Sequence, residues 1–217
     1  MFKAVVFDMD GVIFDTEKLY RRFQLAEGAK RGIPKELMVD VCEHLAGGNK
    51  YTSKPVFESM VGRGIDYFEF RECMITALDA YIDENGVELK PGVLETLRYL
   101  KEHGYRIGLA TSTVRERAIM HLKNHNLEQY FDKLVFGDMV EHGKPAPDIY
   151  LKACEELGVT PDEAVAVEDS INGIISAGTG GLYPVMVVDL IEPNERIEPY
   201  VKKVYRRMDD MLELFDE

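Results

Sequence analysis

Asp8 and Asp10 close an apolar run, Lys3-Ala-Val-Val-Phe7, and lead into Gly11-Val-Ile-Phe-Asp15-Thr16. A strand repeats every two residues, so both carboxylates project to the same side where the strand stops, and Gly11 lets the chain turn away. Two adjacent anions repel, and a cation, a shared proton or open water relieves the repulsion. Magnesium, which takes oxygen ligands, suits such a pair. A solvated strand end with an Asp-Gly turn is the plainer alternative. An EF-hand calcium loop counted from Asp8 would need glycine at its sixth position and glutamate at its twelfth; the chain has Ile13 and Leu19 there. Three further groups carry polar chemistry at sharp boundaries: Thr111-Ser112-Thr113, Lys144 in Gly143-Lys144-Pro145, and Glu168-Asp169.

The elements that must position these residues alternate from about residue 90 onward. Pro91-Gly92 opens a helix that runs through His103, and Tyr105 to Ala110 reads as a strand ending at Thr111. A helix to about Asn124, a short strand at Leu134 to Phe136 and a helix at Pro147 to Leu157 follow, the last started by proline and stopped by Gly158. Ala164 to Val167 is a strand ending at Glu168-Asp169, Ile171 to Ala177 is helical, and Pro184 to Val188 is a strand. Alternating strands and helices predict a parallel sheet covered on both faces. Residues 17–84 show helical patterns, among them Val56 to Val61 and Tyr67 to Tyr81, broken at Gly47-Gly48 and Gly62 to Gly64, with no strand. The expected organisation is therefore an α/β core of residues 1–16 and 85–217 and an inserted helical domain of residues 17–84. Ligands of an open parallel sheet bind beyond the carboxyl ends of its strands. That rule gathers Asp8, Asp10, Thr111, Ser112, Glu168 and Asp169 on one rim, with Lys144 on a loop ahead of a helix. Taken singly, the threonines could cap a helix, Lys144 could be solvated, and Glu168-Asp169 could answer a helix dipole.

Composition bounds the partners. The 217 residues hold 26 basic and 39 acidic side chains, a net charge of -13, which disfavours nucleic acid or an anionic membrane as the main partner. An anionic substrate must then be drawn in by local positive charge. The hydrophobic content of 46% is ample for a core. Cys42, Cys73 and Cys154 are odd in number and far apart, which indicates neither a disulfide framework nor a zinc cluster. No apolar run reaches membrane-spanning length, and Met1 leads directly into a strand, so a cytoplasmic location is expected.

With these motifs in order, the chain resembles the haloacid dehalogenase superfamily of phosphohydrolases, in the subgroup of beta-phosphoglucomutases and sugar-phosphate phosphatases. The residues that carry the resemblance are Phe-Asp8-Met-Asp10-Gly-Val, Leu-Ala-Thr111-Ser-Thr, Gly-Lys144-Pro-Ala-Pro-Asp148 and Val-Glu168-Asp169-Ser-Ile-Asn-Gly173. The resemblance implies a Rossmann-like three-layer core with an all-helical cap inserted after the first motif. It implies that Asp8 is a nucleophile that becomes an aspartyl-phosphate, and that Asp10 protonates the leaving group and then deprotonates the attacking one. Magnesium would be held by the Asp8 carboxylate, the Asp10 backbone carbonyl and Asp169, with Glu168 as a further ligand, directly or through water. Thr111, with Ser112, Thr113 and nearby amides, would hold phosphate oxygens, and Lys144 would neutralise phosphate and Asp8. The expected substrate is a small phosphorylated metabolite such as a sugar phosphate.

Within the resemblance, the group that attacks the phospho-enzyme decides the activity: water makes a phosphatase, a sugar hydroxyl a mutase. The mutases carry a cap-hinge histidine shortly after the first motif, where this chain has Glu17-Lys18-Leu19-Tyr20. Their first cap loop also carries a basic residue; here it reads Leu45-Ala46-Gly47-Gly48-Asn49-Lys50, with Lys50 as the expected cation and Gly47, Gly48 and Asn49 facing substrate. Phosphatase is the favoured reading and phosphoglucomutase the alternative. A receiver-type switch, which also uses aspartates, Thr or Ser and Lys at strand ends, is a reading from another class; it lacks a large helical insertion and an Asp-x-Asp. After the fourth motif, Gly178, Gly180 and Gly181 weaken a helix by about 1 kcal/mol each relative to alanine, so that helix is expected to end early.

Overall fold

The strands are short runs of valine, alanine and other apolar residues with charged or polar side chains only at their ends, as a sheet buried on both faces requires. In the computed structural model, which describes residues 2–215, they are β1 (Ala4–Phe7), β2 (Arg106–Thr111), β3 (Lys133–Phe136), β4 (Ala164–Glu168), β5 (Tyr183–Val187) and β6 (Lys203–Tyr205). All pair in parallel, in the order β3-β2-β1-β4-β5-β6. The register sets Phe7 beside both Leu109 and Val167. One residue further on, Asp8 lies level with Ala110 and Glu168, so the polar strand ends meet at the centre of the sheet.

Alternate residues serve opposite faces. Val5, Phe7, Ile107, Leu109, Val165 and Val167 pack under α5 (Val93–Glu102) and α6 (Arg115–Asn124). Small side chains, Ala4, Val6, Ala164 and Ala166, face α7 (Asp148–Leu157), whose bulky Tyr150 and Leu157 fill the space they leave. On the same face, α8 (Ile171–Thr179) adds Ala177, while its Ile171 and Ile174 cluster with Met186 and Ile197.

Between β1 and α5 stand four helices: α1 (Glu17–Lys30), α2 (Lys35–Leu45), α3 (Lys50–Val61) and α4 (Tyr67–Asn85). They share an apolar cluster that includes Met38, Val41, Phe57, Tyr67 and Phe70. The lower part of α4, at Met74, Leu78 and Ile82, continues into the main core beside Phe14. Two crossing segments join insertion and sheet: Asp15 N donates to Glu88 O at 2.8 Å and Lys90 N to Ile13 O at 2.9 Å.

The helix after the fourth motif is short, as expected, and ends at Thr179 ahead of Gly180-Gly181, two residues beyond Ala177. Gly178 is there for space, since a Cβ would stand 2.7 Å from Tyr200 Cβ. The short edge strand β6 and the 3-10 turns at Asp209–Phe215 were not anticipated.

Candidate active site

Lys144 is the centre of the strand-end cluster. Its ammonium is fully buried and donates to Asp8 Oδ1 at 2.5 Å, Glu168 Oε1 at 2.6 Å and the Ala110 carbonyl at 3.1 Å. Burial alone would lower its pKa; Asp8 and Glu168 more than offset that, and the net shift is upward, so the lysine is charged. Glu168 is saturated: Oε1 also accepts from Tyr150 at 2.8 Å, and Oε2 from Ser170 Oγ at 3.0 Å. Ser170 in turn caps α8 by accepting from Gly173 N. Glycine is required at 173, because a Cβ there would fall inside the Glu168 carboxylate.

Asp8, Glu168 and Asp169 are all buried, and one carboxylate oxygen of each lies within 4.8 Å of those of the others. Burial, reinforced by Glu168 and Asp10 and opposed by Lys144, pushes Asp8 up to about 8. Asp169 is raised well above its ordinary value by burial, then by Glu17, Glu168 and Asp8. Three buried carboxylates face one buried ammonium, an excess of negative charge that a divalent cation would neutralise. The donor set is all oxygen, which fits magnesium.

Asp10 is held apart from that cluster. Thr16 Oγ1 donates to its Oδ1 and Thr113 Oγ1 to its Oδ2, both at 2.7 Å. Its side chain therefore points at the junction of sheet and insertion and stands outside the three-carboxylate group. Thr111, buried at the end of β2, accepts from Thr113 N at 3.0 Å. None of these hydroxyls caps α6, whose N-cap is Val114 with no side-chain bond.

The loop between α2 and α3 closes over the strand ends. Ser112 Oγ donates to the Gly47 carbonyl at 2.9 Å, and Asn172 Nδ2 to the Ala46 carbonyl at 2.9 Å. Gly47, Gly48 and Asn49 border a cavity of about 140 Å3 that also reaches Asp8, Asp10, Ser112 and Thr113. Asn49 caps α3, accepting from Tyr51 N and Thr52 N. Lys50 is a different case: it is exposed, lies over the Tyr51 ring and is not among the residues bordering the cavity. The first turn of α3 carries it outward.

The cations that do border the cavity among the described residues are Arg71 of α4 and Arg117 of α6. Neither was anticipated, because a lone arginine on an amphipathic helix has no signature of spacing. Tyr20 borders the cavity, and Arg117 Nη1 donates to its hydroxyl at 3.4 Å. Glu17, also unanticipated, borders the same cavity, and burial with the fields of Asp10 and Asp8 raises it to about 8.

Comparison with known proteins agrees with this arrangement. The family profile described as haloacid dehalogenase-like hydrolase matches residues 2–181. A phosphorylated carbohydrates phosphatase of Thermotoga maritima is 35% identical over 184 residues, covering 83% of this chain and 82% of that protein. Hexitol phosphatase B of Escherichia coli is 27% identical over 198 residues, covering 85% and 82%. The crystal structure of CbbY from Rhodobacter sphaeroides in complex with phosphate superposes with a TM-score of 0.76 at 26% identity, covering 97% and 96%. The chain belongs to the haloacid dehalogenase-like hydrolases and is an enzyme of that family.

Proposed function

We propose that the protein is a magnesium-dependent phosphatase of small phosphorylated carbohydrates that works through an aspartyl-phosphate on Asp8. The observation that carries this reading is the division of labour between the two aspartates: Asp8 lies with Lys144 and Asp169, while Asp10 is held on two threonine hydroxyls. Asp8 Oδ attacks phosphorus, the ester oxygen leaves with the bonding pair, and Asp10 supplies its proton. In the second half, water attacks the phosphorus and Asp10 removes its proton, releasing inorganic phosphate and restoring Asp8.

Asp8, Asp169 and the Asp10 backbone carbonyl would hold magnesium, with Glu168 kept behind them by its bonds to Lys144, Tyr150 and Ser170. An ion held there would supply positive charge to offset that of the phosphate as the nucleophile approaches. Lys144, bonded to Asp8, adds its own positive charge, and Thr111 and Ser112 offer a hydroxyl and backbone amides to phosphate oxygens. The helices α1–α4 act as a cap that excludes water and selects the organic part of the substrate.

Tyr20 in the hinge position and an uncharged loop at Gly47-Gly48-Asn49 favour hydrolysis over transfer to a second sugar hydroxyl. Cys42, Cys73 and Cys154 are unpaired, the state that a reducing cytoplasm maintains. The deciding experiment supplies magnesium and a panel of sugar and polyol phosphates and follows phosphate release beside conversion of glucose 1-phosphate to glucose 6-phosphate. Phosphate release without isomerisation supports the reading; isomerisation at a comparable rate overturns it.

A further inference from the structure

Glu168 lies close enough to Asp8 and Asp169 to share a cation with them, since one of its oxygens falls within 4.8 Å of theirs. Its hydrogen bonds stand in the way. A carboxylate offers about four lone-pair directions, two on each oxygen. Oε1 accepts from Lys144 Nζ at 2.6 Å and from the Tyr150 hydroxyl at 2.8 Å. Oε2 accepts from Ser170 Oγ at 3.0 Å and from the Asp169 and Ser170 amides, both at 3.2 Å. Oε2 thus has one donor more than it needs, whereas on Oε1 the loss of the Tyr150 hydroxyl alone would open a lone pair.

Tyr150 is fully buried on α7 and packs with Ala4, Val6 and Ala166 on the small-residue face of the sheet. Its ring centroid also lies 5.1 Å from Lys144 Nζ, where the π face favours the ammonium. A phenylalanine would provide the same packing and the same ring, so the hydroxyl is the part that packing does not explain. We propose, on the basis of the magnesium reading above, that the Tyr150 hydroxyl is a positioning group that commits Glu168 to Lys144 and so makes the site prefer magnesium to calcium. Magnesium takes six oxygens and keeps several of them as water, so two carboxylates and a carbonyl suffice as protein ligands. Calcium takes six to eight and gains most from a further carboxylate. With both lone pairs of Oε1 occupied, that further carboxylate is withheld.

The test is calorimetric titration of the chelator-treated, dialysed protein with magnesium and with calcium, without substrate, so that binding is read apart from turnover. Tyr150→Phe should raise calcium affinity relative to magnesium by roughly tenfold, the size of one charged hydrogen bond released. Ser170→Ala leaves Oε2 its two amide donors and should keep the wild-type ratio. Glu168→Gln should weaken both cations by a similar factor, because the carboxylate contributes charge but no ligand oxygen; this arm keeps the test decisive if Tyr150→Phe does not fold. An unchanged calcium-to-magnesium ratio in Tyr150→Phe overturns the proposal and leaves the phosphatase reading standing. So does an equal shift in Ser170→Ala, and so does a ratio that falls in Glu168→Gln, which would make Glu168 a ligand already. Binding of neither cation by the wild type overturns the magnesium reading, and the proposal falls with it.

Discussion

Lys144 Nζ stands 2.5 Å from Asp8 Oδ1, and both side chains are buried. An ammonium in that position is tolerated only because Asp8, Glu168 and the Ala110 carbonyl take all three of its protons. Removing it strands Glu168 as an uncompensated buried charge. Lys144→Met should therefore lower the free energy of unfolding by about 3–5 kcal/mol, and Lys144→Met with Glu168→Gln by clearly less than the sum of the single changes. Urea denaturation of the four proteins measures this; strict additivity would show that the two groups do not act as a pair.

Asp8→Asn should abolish turnover, since an amide oxygen is too weak a nucleophile to form the acyl-phosphate. Asp10→Asn should still bind substrate while losing a factor of about 10²–10⁴ in kcat, the usual worth of acid-base catalysis. Thr113→Val removes one of the two hydroxyls that hold Asp10 and should fall between Asp10→Asn and wild type. Steady-state phosphate release checks all three, and normal kcat in Asp10→Asn would assign the proton transfer to another group.

Chelation should silence the enzyme and magnesium should restore it, and the same site should show in stability. Without metal, Asp8 and Glu17 are raised by burial to about 8, whereas exposed carboxyls titrate near about 4. Between those values the folded chain keeps protons that the unfolded chain has released, so this stabilisation is complete at low pH and is lost as pH rises toward 8. Glu27, held low by Lys30 and Arg31 against its burial, and His121, held low by its burial, have the opposite sign, but their windows lie below about pH 6.5. In chelator the thermal midpoint should fall between about pH 6.5 and 8; in magnesium, which binds the deprotonated carboxylates, the fall should shrink. A midpoint that rises with pH in chelator would contradict the burial of these groups.

Gly173→Ala should displace the Glu168 carboxylate by steric conflict and disturb Lys144 through it. Activity should drop by an order of magnitude or more, because the Lys144 ammonium must lie within reach of both phosphate and Asp8. A variant as active as wild type would show that α8 can shift to make room.

The sheet and the four motif segments were legible because each is a local pattern: an apolar strand that ends in a polar residue whose type is dictated by the rim. What escaped the sequence depends on partners far along the chain. Gly178, within α8, reads as a helix breaker until Tyr200 is seen to occupy the space of its missing side chain. Strand β6 has three residues and an exposed face, so its only reason to be a strand is the edge of β5. Lys50 read as a substrate contact because the loop carries no other charge, but the capping bonds of Asn49 start α3 there and turn the lysine outward. Arg71 and Arg117 lie 46 residues apart in the chain and border one cavity only because α4 packs near α6, where Arg117 reaches Asp79.

The seal between the α2–α3 loop and the sheet is made on the loop's side by main-chain oxygens, those of Ala46 and Gly47, with Asn172 and Ser112 as the donors. Carbonyls are common to every amino acid, so the contact made at position 46 does not depend on the side chain there, whereas Gly47, at a φ of 73° and with a Cβ position 2.2 Å from Ser170 Oγ, has to remain glycine. Ala46, which borders the cavity, is therefore the loop position at which a new substrate contact can be grafted while the bonds from Ser112 and Asn172 persist.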